Sequence, residues 1–462
     1  MELVDLQALI GTYDELIKKV QAAKPVKKVP IADALKQLDP TQHPVTDKSL
    51  RQDKSKQVNG QTTPVFVARL PIPMQKKIVN LAAAFLCANP IQLSAQTIDD
   101  TQKGLLAGIK KLWDDNKLDY ESMGEAELMM AETEVAELWY VVDAPEEYWI
   151  GTPSEGSKLR LRMRILANSL GDQLNPVFDA TGDMIAFGRG YSIKNGDNNE
   201  EHFDLYTDTQ IIKGVKQSSG WVTTSENNMI GKIPVIYYSQ PLPEWSDVEA
   251  LIERLETNVS NNADTNDYFG SPIVFVEGEI QGFADKGESG KVLQAKAGAK
   301  ASYLTWDHAP EIIRYESDTL QRLIYSMTDT PNISFEEMKG LSTFSGAALR
   351  MLFLGAHLKA ARKEGIFGKG IQRRINFMKT AMSIIDVRLQ PALSLSIKPV
   401  FEYYLPKNIQ EIIQTLSEGV GAGKPVMSQK TAVRNNPLVA DADQEFVLMQ
   451  EEGALTSDVQ TA

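Results

Sequence analysis

Hydrophobic side chains recur at helical spacing through the first third of the chain. Near the N-terminus, Leu6, Leu9, Ile10, Tyr13 and Leu16 repeat at steps of one helical turn, which predicts an amphipathic helix. A polar stretch with four prolines follows, so we expect residues 1–60 to form an arm that packs on another part of the protein. Further helices are predicted at Met74–Ala88, Thr101–Leu118 and Ser122–Leu138.

The period then changes from helical to alternating. The segment "LRLRMRIL", Leu159–Leu166, alternates strictly between apolar and polar residues, as expected of a half-buried strand. Further strands are predicted at Met184–Ile193, His202–Thr207 and Ile233–Ser239. Residues 60–240 are therefore predicted to be α+β, with helices preceding a mostly antiparallel sheet.

Beyond Pro243 the helical period returns. Residues 244–269 predict one long helix, a compact insert with short strands follows within Ser271–Asp307, and a second helix is predicted over Pro310–Thr328. After a stretch of Gly, Ser and Thr, a helix runs to about Arg388 and is expected to bend near Gly355 or near Gly365, Gly368 and Gly370. A strand in "LSIKPVFEYYL" and a helical tail from Lys407 complete the chain.

Composition narrows the class of protein. The 462 residues include 42% hydrophobic ones and a single cysteine, Cys87, which excludes an intramolecular disulfide and favours a reducing compartment such as the cytosol. No apolar run reaches the roughly 18 residues of a membrane-spanning helix, and the N-terminus lacks a signal-peptide pattern. The net charge of −13 argues against tight sequence-specific binding of nucleic acid by a monomer.

Charge is strongly segregated along the chain. Between Ala347 and Ile385 eight basic residues stand against Glu364 alone, and between Glu244 and Asp267 seven acidic residues stand against Arg254. Each run is compatible with an ordinary solvated helix face. The opposition of two such runs in one chain suggests that they serve a common purpose.

No set of residues indicates catalysis or a cofactor. The segment "GVGAGKP", residues 419–425, has the wrong spacing for a phosphate-binding loop, and Pro425 replaces the magnesium-binding Ser or Thr, so a glycine-rich helix end is the simpler interpretation. The four histidines are dispersed, and Glu337-Met338-Lys339 lacks an upstream carboxylate on a strand. We therefore expect that the protein is not an enzyme and that it binds neither a metal ion nor a cofactor.

The order of these parts resembles the portal proteins of tailed bacteriophages of the siphovirus type. Three stretches carry the resemblance: "PMQKKIVNLAAAFLCANPIQL" from Pro73, "SDVEALIERLETNVSNNADTNDYFGSPIVFVEG" from Ser246, and "LSTFSGAALRMLFLGAHLKAARKEGIFGKGIQ" from Leu341. A weaker match, "MSQKTAVRNNPLVADADQEFVLMQEE", ends the chain.

The resemblance implies a division of the chain. The parts are an N-terminal arm (1–60), a wing with antiparallel strands (61–243), a stem helix (244–269), a small β-containing clip (270–308), a second stem helix (309–330), a tunnel loop (331–345), a tunnel helix (346–390), a wing strand (391–406) and a helical crown with the C-terminal tail (407–462).

The same resemblance implies that the protein would be a portal. It would form a ring, usually of twelve subunits, at one capsid vertex of the virion, after assembly in the host bacterial cytoplasm. Double-stranded DNA would pass through the channel during packaging and ejection without sequence specificity. The implied partners are the large terminase, a head-completion adaptor, the major capsid protein and a scaffolding protein, with no membrane. The alternative is another structural component of the virion, such as an adaptor, capsid or scaffold-type protein.

Candidate site residues follow from the charge runs and the implied division. Tunnel-loop residues expected to face DNA are Lys339, Ser342, Thr343 and Ser345. The acidic stem lining is expected from Glu249, Glu253, Glu256, Asp264 and Asp267, because a negative wall repels phosphate and lets DNA slide. The basic tunnel helix carries Arg350, Lys359, Arg362, Lys363, Arg373 and Arg374. The clip docking surface comprises Asp285, Lys286, Glu288, Lys291 and Lys296.

Two placements of the basic helix remain open at this point. It faces either the acidic stem helix of a neighbouring subunit or the DNA at the capsid side. The first placement satisfies both charge runs at once, and we favour it for that reason.

Overall fold

A computed structural model describes most of the chain. The described residues are 13–58, 61–196, 198–269, 273–277, 280–282, 294–295, 298, 300–304, 309–332, 351–403, 409–421, 425–439 and 441–460. The chain divides into two compact units, a larger one of Met1–Thr330 with Lys359–Glu402 and a smaller one of Pro331–Leu358 with Tyr403–Ala462.

The described residues contain helices and antiparallel strands, which agrees with the predicted α+β class. The helices are α1 (Tyr13–Ala23), α2 (Ile31–Leu38), α3 (Met74–Cys87), α4 (Asp100–Asp115), α5 (Leu118–Glu132), α6 (Glu249–Phe269), α7 (Ala309–Met327), α8 (Leu354–Ile385), α9 (Ile409–Gly421), α10 (Gln429–Arg434) and α11 (Ala442–Gln460). Four short 3₁₀ segments are Pro40–Gln42, Pro44–Thr46, Asn168–Leu170 and Val387–Ser394.

The strands pair with neighbours of opposite direction. They are β1 (Lys54–Val58), β2 (Gln61–Val65), β3 (Gln92–Ala95), β4 (Glu134–Asp143), β5 (Leu159–Leu166), β6 (Gln173–Phe178), β7 (Met184–Asn195), β8 (Asn198–Tyr206), β9 (Gln210–Gln217), β10 (Gly220–Asn227), β11 (Val235–Ser239), β12 (Ile273–Glu277), β13 (Ile280–Gly282), β14 (Gln294–Ala295), β15 (Lys300–Leu304) and β16 (Ile397–Val400). The sheets have the orders β1-β2, β10-β9-β8-β7-β6, β11-β4-β5, β12-β15, β13-β14 and β16-β3.

Helix α1 packs on one face of the five-stranded sheet. Tyr13, Leu16 and Val20 are buried against the sheet, and the Tyr13 hydroxyl donates to the Phe203 carbonyl at 2.6 Å. Gly214 of β9 lies directly beneath the Tyr13 ring, where a Cβ atom would overlap the ring. The expected packing of the arm is thus seen for the described part of its first helix; Leu6, Leu9 and Ile10 lie outside the described residues.

The opposite face of this sheet meets the three-stranded sheet. Side chains of both sheets form a common core that includes Leu138, Phe187, Tyr206 and Tyr237. The predicted strand Leu159–Leu166 is observed with the same bounds as β5. The predicted helix Ser122–Leu138 is wrong at its end, because Thr133 adopts a left-handed conformation with φ 67° and the chain continues as β4.

Helix α8 is the longest helix among the described residues. It runs without interruption from Leu354 to Ile385, so its glycines do not end it. Gly370 lies against the Tyr238 ring, where a side chain would overlap the ring. The predicted strand near its C-terminal side is β16, which pairs with β3.

The described part of the smaller unit includes α9, α10 and α11. Gly419 and Gly421 belong to the last turns of α9, and the Val426 amide donates to the Gly419 carbonyl at 3.0 Å. The "GVGAGKP" segment therefore begins at a helix end, as the sequence predicts, rather than after a strand.

Candidate functional site

The two charged helices α6 and α8 contain the candidate residues that the structure describes. The remaining ones lie outside the described residues: Lys339, Ser342, Thr343 and Ser345 of the predicted loop, Asp285, Lys286, Glu288, Lys291 and Lys296 of the predicted clip, and Arg350.

Six of the seven basic residues of α8 lie on two neighbouring faces of the helix, roughly 90° apart. Lys359, Lys363 and Arg374 point toward the interior of the larger unit and are engaged there. A second set lies on the exposed face at steps of seven and four residues, which places its members along one line of the helix surface. This second set is Arg362, Lys369 and Arg373, and none of these three side chains forms an ion pair or hydrogen bond with another described residue.

Lys359 joins three separate segments of the chain. Its ammonium group donates to the Thr328 carbonyl at 2.7 Å, just after α7, and lies 3.1 Å from the Glu244 carboxylate, which precedes α6. Lys363, one turn further along α8, lies 2.5 Å from the other oxygen of Glu244 and donates to Gln240 at 2.9 Å. We call Lys359, Lys363, Glu244 and the Thr328 carbonyl the lysine clamp.

The pKa values of the lysine clamp follow from burial and charge. Burial lowers the pKa of Lys359, and Glu244 opposes that effect only in part. Burial also raises the pKa of Glu244, but the two lysines outweigh it and hold that pKa below its usual range. Glu244 is therefore ionised at neutral pH, and its charge is compensated within the chain.

Arg374 is completely buried and lies between two buried glutamates. Its guanidinium donates to Glu137 at 2.8 and 2.9 Å, to Glu125 at 2.5 Å and to the Ser122 hydroxyl at 2.8 Å. Side-chain exposure is 0% for the arginine and for both glutamates. These contacts connect α8 to α5 and β4.

The two glutamates around Arg374 differ in their other partners. Glu137 also accepts from the Trp139 indole at 2.7 Å and from the Tyr238 hydroxyl. Glu125 has one oxygen that accepts no hydrogen bond from any described residue, and burial raises its pKa even though Arg374 opposes this. The two carboxyl groups are therefore held unequally, with more hydrogen-bond donors around Glu137 than around Glu125.

The acidic helix α6 likewise has few free carboxylates. Glu256 is 1% exposed, accepts from the Ile72 amide at 2.7 Å and lies 2.6 Å from Nδ1 of the buried His43. Burial lowers the pKa of His43, but Glu256 outweighs this effect and the pKa is raised. Glu256 is part of the interior, so the expected exposed acidic lining does not include it.

Two more of the predicted acidic residues have partners in the same chain. Glu249 is half-buried and accepts from Gln75 at 3.2 Å, and burial raises the pKa of its carboxyl to about 7. Asp264 accepts from the Ala68 amide at 2.6 Å and pairs with Arg51 at 2.6 Å. Glu253 and Asp267 are the two predicted stem residues whose side chains are exposed.

The charge runs therefore meet, but within one chain. Lys359 and Lys363 pair with Glu244, and Arg374 pairs with Glu125 and Glu137, all within the same chain. These three basic residues therefore do not form the pairing with a neighbouring subunit that we favoured from the sequence. Sequence reasoning missed Glu125, Glu137 and His43. Glu137 carried a usable signal, because it is a lone charge within the apolar run of β4.

The described residues offer no sign of a metal site or a membrane span. No group of three or more His, Cys, Asp or Glu side chains among them is arranged to hold a metal ion. Within the same residues, no helix combines the length and the apolar character needed to cross a bilayer.

Comparison with known proteins gives two matches. A family model described as phage portal protein, SPP1 Gp6-like, matches residues 62–458. The portal protein of Bacillus phage SPP1 is 25% identical over 303 residues, which cover 59% of this chain and 58% of that protein. The match thus spans less than two thirds of the relative's length. The matched range of the family model includes α6, α7 and α8 with all the contacts of Lys359 and Arg374 described above.

Proposed function

This chain belongs to the SPP1 Gp6-like family of phage portal proteins, and from that membership we propose that it forms a ring at one vertex of a phage capsid. Double-stranded DNA passes through the ring during packaging and ejection, and the tail attaches to it. The family is structural, so we expect the purified protein to have neither ATPase nor nuclease activity. The ring is expected to contain twelve copies.

The observation that carries this proposal is the extent of the family match. It begins before α3, includes both charged helices and ends within α11. A match confined to one helix pair would be compatible with many helical proteins, whereas this one covers the succession of helices and strands from α3 into α11.

The internal neutralisation of α8 supports passage of DNA without tight binding. A duplex is held by counterion release, and affinity rises steeply with each phosphate contact. Because the lysine clamp and the Arg374 cluster use three of the cations of α8 inside the chain, those cations are not free to bind phosphate. We propose that the predicted loop, with Lys339, Ser342, Thr343 and Ser345, touches the DNA through small neutral and single basic groups.

The exposed charges are proposed to act between subunits. Arg362, Lys369 and Arg373 remain available on the outer face of α8, and Glu253 and Asp267 remain available on α6. We propose that Arg362, Lys369 and Arg373 face carboxylates of a neighbouring subunit. Salt screens such exposed pairs, so this contact should weaken as ionic strength rises.

The proposed partners follow from the family. The clip, near residues 270–308, would bind the large terminase during packaging and a head-completion adaptor afterwards, and the wing would contact the major capsid protein and a scaffolding protein. Mixed charges such as Asp285 and Lys286 suit an exchangeable polar interface better than a permanent apolar one.

Gold labelling of phage particles with antibodies against this chain distinguishes a portal from a capsid or scaffold-type component of the virion. We expect one labelled vertex per particle, at the site of tail attachment, after the particles are opened to admit the antibody. A label over the entire shell would indicate a capsid protein, and a label present in precursor particles but lost from mature ones would indicate a scaffold. Either result would overturn the proposed function.

A further inference from the structure

A solitary β-hairpin projects from the larger unit. Strands β1 and β2 pair only with each other, and every side chain that the structure describes between Lys54 and Val65 is exposed. Phe66, directly after the hairpin, is 76% exposed. An isolated two-stranded hairpin is marginally stable in water, so we expect this hairpin to be stabilised by packing against another surface.

The root of the hairpin is fixed firmly to α6. Arg51 on one side of it and Ala68 on the other both bind the Asp264 carboxylate at 2.6 Å. Arg51 also donates to Asn261 at 2.8 Å, and the Leu70 amide donates to Ser260 at 3.0 Å. The hairpin therefore leaves the molecule at a defined level of α6, between Ser260 and Asp264.

Helix α7 presents an uncovered apolar surface at the same level. Arg254 of α6 pairs with Glu316 at 2.7 Å and Asn258 donates to the Ile313 carbonyl at 3.5 Å, so the two helices run antiparallel. This register places Ile312 opposite Asn258 and Val259, next to the hairpin root at Ser260–Asp264, and places Tyr315 about one turn, roughly 5 Å, further away from the root.

Ile312 and Tyr315 begin an apolar stripe on α7. They are 67% and 72% exposed. Glu316 and Thr319 then interrupt this face, and Leu323 and Met327 form a second exposed apolar pair toward the other end of the helix. A separate face, with Leu320 and Ile324, is buried. Exposed apolar side chains aligned in this way mark an interaction surface.

The charges of the two surfaces are complementary. Residues 54–66 contain two lysines and no acidic residue. Of the exposed carboxylates of α6 and α7, Asp267 and Glu311 lie near the level of the hairpin root and pair with no described residue, whereas Asp318 lies 3.7 Å from Arg314 of its own helix. A contact between the hairpin and this helix pair would bring the hairpin lysines near carboxylates and would bury apolar side chains of both surfaces.

We propose that the hairpin of one copy binds the α7 stripe of a second copy, with Val65 and Phe66 against Ile312 and Tyr315. Because the contact joins two different surfaces, every copy has one of each, which is the heterologous arrangement that forms a ring when the rotation between neighbours closes. The proposal rests on the proposed function, since it requires the ring. It adds the surfaces by which neighbouring copies recognise each other.

The test uses paired cysteines next to the contact residues. The full chain with Val65→Cys and Glu311→Cys is assembled, its mass is measured, and a short bis-maleimide is added before denaturing electrophoresis. Cys87 does not interfere, because it is buried and burial raises its pKa to about 12. The matched control combines Val65→Cys with Ser326→Cys, an exposed position about 22 Å further along α7.

We expect a ladder of covalent dimers, trimers and larger species for the first pair and none for the control pair. Rings that form without a ladder would overturn this docking while leaving the proposed ring intact. A ladder of equal strength in the control would also overturn the docking. Absence of both rings and ladder would overturn the docking and the proposed function together.

Discussion

Arg373 and Arg374 are adjacent in sequence but lie in opposite environments. Arg373 is exposed and free of partners among the described residues, whereas Arg374 is fully buried between Glu125 and Glu137. The interior position of Arg374 makes it part of the packing between α8, α5 and β4. Charge alone therefore does not predict which arginine has a surface role.

The adjacent arginines provide a matched pair of variants. Arg374→Met should lower the stability of the folded chain by about 3–5 kcal/mol, because it leaves a buried carboxylate without its compensating charge. Arg373→Met should change stability by less than about 0.5 kcal/mol, as is usual for exposed positions. Chemical denaturation of both variants at equal protein concentration measures the difference. Equal midpoints for the two variants would contradict the importance of the buried cluster.

The burial of Arg374 could have been predicted in part from helical spacing. It lies seven residues after Phe367, three after Ile371 and four before Met378, all of which are buried. An arginine on that apolar face must find a buried acidic partner. The identity of the partners could not be predicted, since Glu125 and Glu137 are more than two hundred residues away in sequence and are brought near only by the fold.

The lysine clamp joins helix α8 to two neighbouring elements, α7 and the segment before α6. Lys359 ties the first turns of α8 to the end of α7 and to the segment that precedes α6. The two ends of residues 331–358 are therefore fastened together at Thr328 and Lys359. In the proposed portal, this segment contains the loop that faces DNA, so the clamp would fix the base of that loop.

Lys359→Met should release this fastening. The Thr328 carbonyl loses its buried donor and Glu244 keeps Lys363 alone, at a cost of about 1–3 kcal/mol. Chymotrypsin should then cleave within residues 331–358 at least about fivefold faster if local opening is at equilibrium. Lys369→Met, on the exposed face of the same helix, is the control and should be cleaved at the wild-type rate. Equal rates in the two variants would refute the fastening role.

The elements that sequence predicted best are those with a clear period. Strand β5 alternates and was predicted with its observed bounds, and α3 begins at Met74 as expected. The start of β4 was missed because its first six residues are all buried, so it has no alternation. Because Glu134 and Glu137 are buried together with the apolar residues around them, the polar positions do not mark an exposed face, and the period does not show where the helix ends at the left-handed Thr133.

At the scale of the whole molecule, the pattern of exposed charge favours association. The chain carries a net charge of −13, yet its exposed basic side chains include Arg362, Lys369 and Arg373 of α8 and Lys54 of the hairpin. Opposed charges on different surfaces of one subunit suit contacts between unlike faces, which generate a ring when the rotation between neighbours closes and an open filament when it does not. We therefore expect the purified chain to assemble into that ring without any other protein.

Electron microscopy of the purified protein, with its mass measured by light scattering, tests this claim most directly. Twelve copies of a 51.2 kDa chain should give a particle of about 614 kDa with a visible central channel. A mass that remains that of a monomer or dimer across a range of protein and salt concentrations, without rings in the images, would contradict it.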